Sequence, residues 1–162
     1  MAELFVEILG KPHGFIVFQL LAACRFTIYL SLIAFVGGGA VACLVTLLRI
    51  SNVPSLQKFA TSFIWIFQSI PLLMLLFLIG LGMPRLLDVN VDPWTAATIS
   101  LVLFTAAYLA EVWRGAIESV ARGQWEASYA LNIRYSLLLR DIILPQAIKF
   151  GVAPTVGFMV QI

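Results

Sequence analysis

Charged residues are scarce in this chain of 162 residues. They make up 11% of the sequence, whereas a soluble domain carries about 25%. Hydrophobic residues make up 62%, and the mean hydropathy is +1.02. A soluble fold of this size could not bury so much apolar surface. The composition therefore predicts an integral membrane protein and excludes a soluble domain.

Residues that ligate metals or carry out catalysis are also few. His13 is the only histidine, and the two cysteines, Cys24 and Cys43, supply too few ligands for a disulfide scaffold or a zinc site. No G-x-x-x-x-G-K-[ST] phosphate-binding loop is present, since Gly10–Lys11 lacks the upstream glycine and the following Ser or Thr. The net charge of +2 is too small to indicate nucleic-acid binding. We therefore predict no catalytic residue, no metal and no cofactor on this chain.

Four apolar runs cover most of the sequence, and a membrane-spanning helix needs about 20 such residues. The predicted spans are residues 26–48, 59–83, 94–113 and 145–162. This pattern predicts an all-α integral membrane protein, a polytopic helical bundle of three complete spans plus a fourth that is cut short. Residues 14–24 are apolar as well and precede Arg25, so they form either an interfacial helix or the lead-in to the first span. Residues 114–144, hereafter the 114–144 segment, connect the third and fourth spans.

The basic residues predict the orientation in the membrane. Seven follow the first or the third span: Arg49, Lys58, Arg114, Arg122, Arg134, Arg140 and Lys149. The opposite side holds only Lys11 and Arg85. We therefore expect the 49–58 loop and the 114–144 segment in the cytoplasm and the N-terminus outside. The first seven residues include two glutamates and no basic residue, which argues against a cleaved signal peptide.

Glycine, proline and polar residues interrupt two of the spans. Gly37–Gly39 and Ala42 give a small-xxx-small spacing, which serves either packing within the chain or a dimer face. Pro71 predicts a kink in the second span. Gln68 and Ser69 lie one turn earlier in an apolar environment, where polar groups need partners. They either line a translocation pathway with Pro71 or bond to the backbone carbonyl groups that the kink frees.

The 114–144 segment begins with a charged helix. Its spacing predicts ion pairs between Glu111 and Arg114 and between Glu118 and Arg122. Gly123 is expected to break this helix.

Two short helices are predicted after that break. The first covers Gln124–Leu131 and ends at Asn132, because asparagine tolerates the left-handed conformation of a helix C-cap. The second covers about Ser136–Ile143, and Pro145 either ends it or opens the next helix. Short helices gain little stability alone, so the membrane surface or a cytoplasmic protein must pack on them.

A fixed spacing of residues identifies a candidate for that protein. Glu126–Ala127, the turn residue Asn132, and then Ile142, Leu144 and Pro145 follow the pattern E-A-A, three residues, G, nine residues, I-x-L-P. This resembles the EAA loop in permease subunits of bacterial ATP-binding-cassette importers. The flanks "AAYLAEVWRGAIESVARGQWEA" and "ILPQAIK", and the second-span "FQSIPLL", look like the polar amino acid uptake branch. The resemblance runs from about residue 25 to the end.

The resemblance implies a mechanism and a set of partners. In this family the EAA loop forms a coupling helix that sits in a groove of a separate ATPase subunit, which binds and uses the ATP. An extracytoplasmic binding protein delivers an amino acid, which crosses the bacterial cytoplasmic (inner) membrane between paired permease subunits. By position, the coupling loop would comprise Gly123, Glu126, Ala127, Ser128, Ala130, Leu131, Asn132, Ile142, Leu144 and Pro145.

Some features depart from the family pattern. Asn132 replaces the glycine of the motif, Ser128 replaces its second alanine, and Gln68 replaces an arginine that usually precedes the second-span proline. Members of this branch also continue past the equivalent of Ile162, so the resemblance implies a C-terminal truncation. Two hypotheses stay open: a permease subunit of an amino acid importer, or a non-transporting membrane scaffold or remnant that only docks an ATPase. The transported amino acid and the choice between a homodimer and a heterodimer are also open.

Overall fold

Residues 13–162 are described by a computed structural model, and helices joined by short turns make up this part of the chain. The helices are α1 (His13–Arg49), α2 (Pro54–Ser69), α3 (Leu72–Phe77), α4 (Met83–Leu87), α5 (Pro93–Glu118), α6 (Arg122–Ala130), α7 (Tyr135–Leu137) and α8 (Leu144–Gln161). Two π-helical stretches, Leu78–Gly82 and Leu138–Ile143, join α3 to α4 and α7 to α8. The predicted all-α membrane fold is confirmed.

Within this range, three helical stretches are long and apolar enough to cross a membrane: α1, α5 and the continuous run Tyr135–Gln161. A fourth is formed by α2 together with the run Leu72–Leu87, if this bent pair counts as one span. The two halves of that pair meet at an angle of 99°. The bend lies at Ile70 and Pro71, as the sequence predicts, because a residue before proline avoids the helical region and Ile70 is extended (φ −97°, ψ 121°).

The first span is part of a helix longer than a bilayer is thick. α1 has 37 residues and is therefore about 55 Å long, against a hydrocarbon core of about 30 Å. Residues 14–24 thus lead directly into the first span, which decides between the two alternatives for this run. Arg25 lies within the helix, and its guanidinium carbon stands 4.7 Å from the centroid of the Phe26 ring.

Both π-helical stretches precede a proline. Pro84 follows Leu78–Gly82, and Pro145 follows Leu138–Ile143. Proline has no N–H and its ring collides with the carbonyl four residues earlier, so a locally wider turn relieves the collision and keeps the helix continuous. Pro145 therefore opens α8 without ending the helix before it.

An aspartate fixes the start of α5. The Asp92 carboxylate accepts hydrogen bonds from the hydroxyl of Thr95 at 2.6 Å and from its backbone N–H at 3.0 Å. These two bonds lower the pKa of the Asp92 carboxyl, because they favour its ionised form. Pro93 follows at the first helical position, where a missing N–H has no cost.

Helix α5 lies at the centre of the fold, where α1, α2, α3 and α8 all pack against it. The approach of α1 is closest at Gly38. A Cβ atom built on Gly38 would lie 2.5 Å from the Cβ of Thr105, and one on Gly37 would lie 3.1 Å from a methyl carbon of Val102. The glycines therefore serve packing within the chain, which was one of the two alternatives for this motif.

A methyl group at Gly38 should force α1 and α5 apart. We expect Gly38→Ala to lower the free energy of unfolding by about 1–3 kcal/mol, the usual cost of overpacking. Gly39→Ala is the matched control, because its Cβ would meet only the Trp113 ring at 4.0 Å. Unfolding of the purified chain in detergent, followed by circular dichroism, measures both. Equal stability of the two variants would show that the helices do not need this contact.

Candidate functional site

The 114–144 segment contains a helix break that glycine does not cause. Helix α5 ends at Glu118 and α6 begins at Arg122. Gly123 lies in the first turn of α6, and a Cβ there would meet nothing within 4 Å. The prediction that Gly123 breaks the helix is therefore wrong. The turn instead follows tertiary packing, because it buries Ile117 and Val120, which are 6% and 2% exposed.

Helix α6 ends in a left-handed cap, as the sequence predicts. Asn132 has a φ of 51°. The N–H of Ile133 donates to the carbonyl of Ser128, and the N–H of Asn132 donates to the carbonyl of Tyr129, both at 3.0 Å. This pair of bonds is the Schellman motif. The turn between the two short helices is therefore hydrogen-bonded and has a defined geometry.

One face of α6 and its C-terminal turn is exposed. Glu126, Ala127, Ala130 and Asn132 lie on it, and the side chain of Leu131 is 74% exposed. Tyr129 adds a ring that is 60% exposed. This surface is rich in small and apolar side chains. No other part of the described chain covers it.

Ser128 does not lie on that surface, although the family pattern placed it in the coupling loop. It is only 2% exposed, and its hydroxyl donates to the carbonyl of Gln124 at 2.7 Å. A serine side chain is short, so its hydroxyl can donate to the backbone carbonyl one turn earlier, whereas a longer polar side chain would need more space. Ser128 therefore supports α6 from its inner side.

The I-x-L-P half of the motif lies beneath the exposed half. Ile142 and Leu144 are half-buried and pack on an apolar group that we call the base cluster. Its buried members are Ile117, Val120, Leu138, Ile143 and Ala147. Pro145 itself is exposed, at the start of α8. Because α5, the 114–144 segment and α8 all contribute to the base cluster, the exposed turn rests on the ends of two candidate spans.

The 114–144 segment also contacts the end of α1. The hydroxyl of Tyr135 donates to the carbonyl of Ile50 at 2.8 Å, and Ile50, Trp125 and Ile133 all pack against the base cluster. Sequence reasoning missed Tyr135, Trp125 and Ile50. The two bonded residues are 85 positions apart, and no local pattern in the sequence reports such a pair.

A polar cleft of about 290 Å³ lies between the end of α5, α6 and the loop after α1. Its walls include Arg49, Asn52, Gln57, Arg114, Glu118, Trp125 and Tyr135. Arg114 bonds to Glu111, with Nε and Oε2 at 2.9 Å, and also to Glu118. The predicted Glu111–Arg114 pair is confirmed. The predicted Glu118–Arg122 pair is wrong, because α5 ends at Glu118 and Arg122 starts a new helix.

The polar residues near the bend of the second predicted span have backbone partners. The hydroxyl of Ser69 donates to the carbonyl of Trp65 at 2.6 Å. The side-chain amide of Gln68 donates to the carbonyl of Ala107 in α5 at 3.3 Å. Neither acceptor is a carbonyl group freed at the kink, because Trp65 lies within α2 and Ala107 lies within α5. A pathway role for Gln68, Ser69 and Pro71 stays a prediction.

An apolar groove of about 500 Å³ separates α1 from α8, with α5 behind it. Cys43, Leu47, Trp113, Gly151 and Val156 are among its lining residues. The indole N–H of Trp113 donates to the hydroxyl of Thr155 at 3.0 Å and so joins α5 to α8. Among residues 13–162, no group of three or more His, Cys, Asp or Glu side chains is placed to hold a metal ion.

Comparison with known proteins extends these observations. The family model for the binding-protein-dependent transport system inner membrane component matches residues 35–160. The probable amino-acid ABC transporter permease protein YckA of Bacillus subtilis is 33% identical over 137 residues, which are 85% of this chain and 60% of that protein. The probable glutamine ABC transporter permease protein GlnM of the same organism is 35% identical over 128 residues, 79% of this chain and 59% of that protein.

A solved structure agrees with these relatives. The crystal structure of an amino acid ABC transporter with histidines superimposes with a TM-score of 0.79 at 29% identity, covering 84% of this chain and 63% of that chain. This chain therefore spans about 60% of the length of the relatives that it matches.

The left-handed residue at the end of α6 provides a test of the turn. Asn132→Ala should cost about 1–2 kcal/mol in local opening, because a Cβ-bearing side chain without a polar group disfavours this conformation. Asn132→Gly is the matched control and should not lose stability, because glycine adopts a positive φ freely. Amide hydrogen exchange at positions 132 and 133 of the purified variants measures the opening. Equal exchange rates in the two variants would contradict a left-handed cap.

Proposed function

This chain belongs to the binding-protein-dependent transport system inner membrane component family, and from that premise we propose that it is a permease subunit of an ATP-driven amino acid importer. In this role it spans the bacterial inner membrane and passes substrate from an extracytoplasmic binding protein to the cytoplasm. The observation that carries the proposal is the exposed turn of α6, which is held by a Schellman motif above a buried base cluster.

The exposed face of α6 is the proposed contact with the ATPase subunit. Ala127 and Ala130 are small, so a partner could approach the helix backbone closely. Leu131 and Tyr129 are largely exposed, and such apolar side chains gain free energy when a partner covers them. Glu126 adds one charge at the edge of this face.

The base of the segment has the properties that transmission of a movement requires. A displacement of α6 reaches α5 and α8 only if the connection between them is stiff. The base cluster supplies close-packed apolar contacts, and interiors of this kind transmit strain. ATP binding would then shift the permease only to the extent that the ATPase binds its two conformations with different affinity.

The remaining partners follow from the same role. The sequence lacks a phosphate-binding loop, which supports ATP hydrolysis by a separate subunit rather than by this chain. The function also calls for a second permease subunit, identical or related, across the translocation pathway. The names of the relatives support an amino acid as the substrate class.

A change at the centre of the exposed face tests the proposal. Purification of the native chain in mild detergent should bring an ATPase subunit with it, identified by mass spectrometry. In the assembled transporter, Ala127→Arg should lower uptake per ATP hydrolysed by about tenfold or more, since couplings of 1–3 kcal/mol correspond to about 5- to 150-fold. A bulky charged side chain at this position keeps the helix from seating in its partner.

Ala127→Ser is the matched control, because it keeps the side chain small and should retain coupled uptake. Membrane levels of both variants should equal those of the native chain. The proposal is overturned if no ATPase subunit accompanies the chain, or if Ala127→Arg transports as well as Ala127→Ser.

The proposed orientation has its own test. Asn90 lies between α4 and α5 and Ser136 lies in α7, and both are exposed. In a background of Cys24→Ser and Cys43→Ser, a membrane-impermeant maleimide added outside should label Asn90→Cys but not Ser136→Cys. Breaking the inner membrane should then label both. Labelling of Ser136→Cys from outside would reverse the orientation.

A further inference from the structure

The contact between Tyr135 and Ile50 joins the proposed coupling segment to a helix that is remote in sequence. The 114–144 segment is covalently continuous with α5 and α8 only. Through the 2.8 Å hydrogen bond from the Tyr135 hydroxyl to the Ile50 carbonyl, it also reaches the end of α1.

The carbonyl group of Ile50 lies just after the C-terminus of α1, where carbonyl groups lack partners within the helix. The last four carbonyl groups of an α-helix lack partners within the helix. α1 ends at Arg49, and the N–H of Ile50 still donates to Thr46 at 3.0 Å. The carbonyl of Leu48 accepts from the hydroxyl of Ser51 at 2.8 Å. Tyr135 therefore supplies a hydroxyl donor to the carbonyl of Ile50, as Ser51 does to the carbonyl of Leu48, but it comes from a distant part of the chain.

The loop that carries Ile50 is itself fixed by a hydrogen bond to α2. The side-chain amide of Gln57, in α2, donates to the carbonyl of Ser51 at 2.6 Å. This bond joins the loop after α1 to α2 at Ser51, which is next to Ile50, the residue that accepts the bond from Tyr135. A displacement of Tyr135 would move the end of α1 and would not be absorbed by a loose loop.

The bond between Tyr135 and Ile50 is partly shielded from water, and it lies beside the polar cleft. The Tyr135 ring is half-buried, and Trp125 from α6 packs with Ile50 on the base cluster. A hydrogen bond that is partly shielded from water is stronger than one that is fully exposed. The carbonyl of Ile50 would lose its partner if the hydroxyl were removed.

We propose that Tyr135 is a positioning residue that passes the displacement of α6 to α1, so that movement of the coupling segment reaches three helices instead of two. This inference rests on the proposed function. It adds a route to α1 through a hydroxyl rather than through the covalent chain. Because α1 packs tightly on α5 at Gly38, a pull on α1 from one end also acts on the centre of the bundle.

Removal of one hydroxyl tests the inference. Tyr135→Phe keeps the ring and loses the donor. We expect uptake per ATP hydrolysed, in the assembled transporter in proteoliposomes, to fall by about two- to tenfold, as expected for one hydrogen bond. Tyr29→Phe is the matched control, because Tyr29 lies on α1, away from the proposed ATPase contact, is 58% exposed and should leave this ratio unchanged.

A second measurement separates transmission from a loss of structure. A nitroxide label on Leu44→Cys, in the Cys24→Ser and Cys43→Ser background, reports on α1, where Leu44 is 58% exposed. ATP binding should change its spectrum in the native chain and with Tyr29→Phe, and less with Tyr135→Phe. An unchanged response together with an unchanged uptake ratio in Tyr135→Phe overturns the inference. If Ala127→Arg also fails to uncouple, the proposed function falls with it; if Ala127→Arg uncouples, only the role of Tyr135 is lost.

Discussion

Backbone hydrogen bonding in an apolar solvent constrains this chain more than any single side-chain contact does. Inside a bilayer each unpaired N–H or C=O costs several kcal/mol, so the chain must stay helical or find partners wherever it departs from a helix. At the bend before Pro71, Gln68 and Ser69 donate to carbonyl groups. At the end of α1, Ser51 and Tyr135 do the same. Polar side chains thus occur beside these irregular points, and those inside regular helices, such as Ser100 and Thr155, donate to the carbonyl group one turn earlier.

The apolar solvent also explains why α5 can be the central helix. Four neighbouring helices pack against it, and its Ala106, Ala107 and Ala110 are fully buried. Lipid is as apolar as leucine, so helices in a membrane gain little from hiding large side chains and more from close approach between small ones. The alanines of α5 and Gly38 of α1 permit that approach. Large aromatic side chains, such as Phe104 and Tyr108, fill the wider space toward Phe158 in α8.

Local features of the fold could be predicted from the sequence, and tertiary ones could not. The helical class, the bend at Pro71 and the left-handed Asn132 follow from hydropathy and from the conformational limits of single residues. The errors at Gly123 and at Glu118 have a different origin. Both predictions placed the end of α5 from local sequence alone, by a glycine at 123 and by an ion-pair spacing to Arg122. The helix ends earlier, at a turn where Ile117 and Val120 are buried. The inward face of Ser128 and the bond from Tyr135 depend on elements far away in the chain, which no periodicity encodes.

The placement of the 114–144 segment also bears on how a small displacement could act at a distance. Its exposed half is a single turn, but its buried half lies where α5 and α8 meet and where Tyr135 reaches the end of α1. In the proposed function, a force on the exposed turn would act on more than one helix, because the base cluster joins α5 to α8 and the Tyr135 bond reaches the end of α1. Packed interiors of this kind adopt discrete arrangements rather than deform continuously. The segment is consequently suited to moving the three helices as a unit, which is the property that an ATP-driven change in a membrane subunit would need.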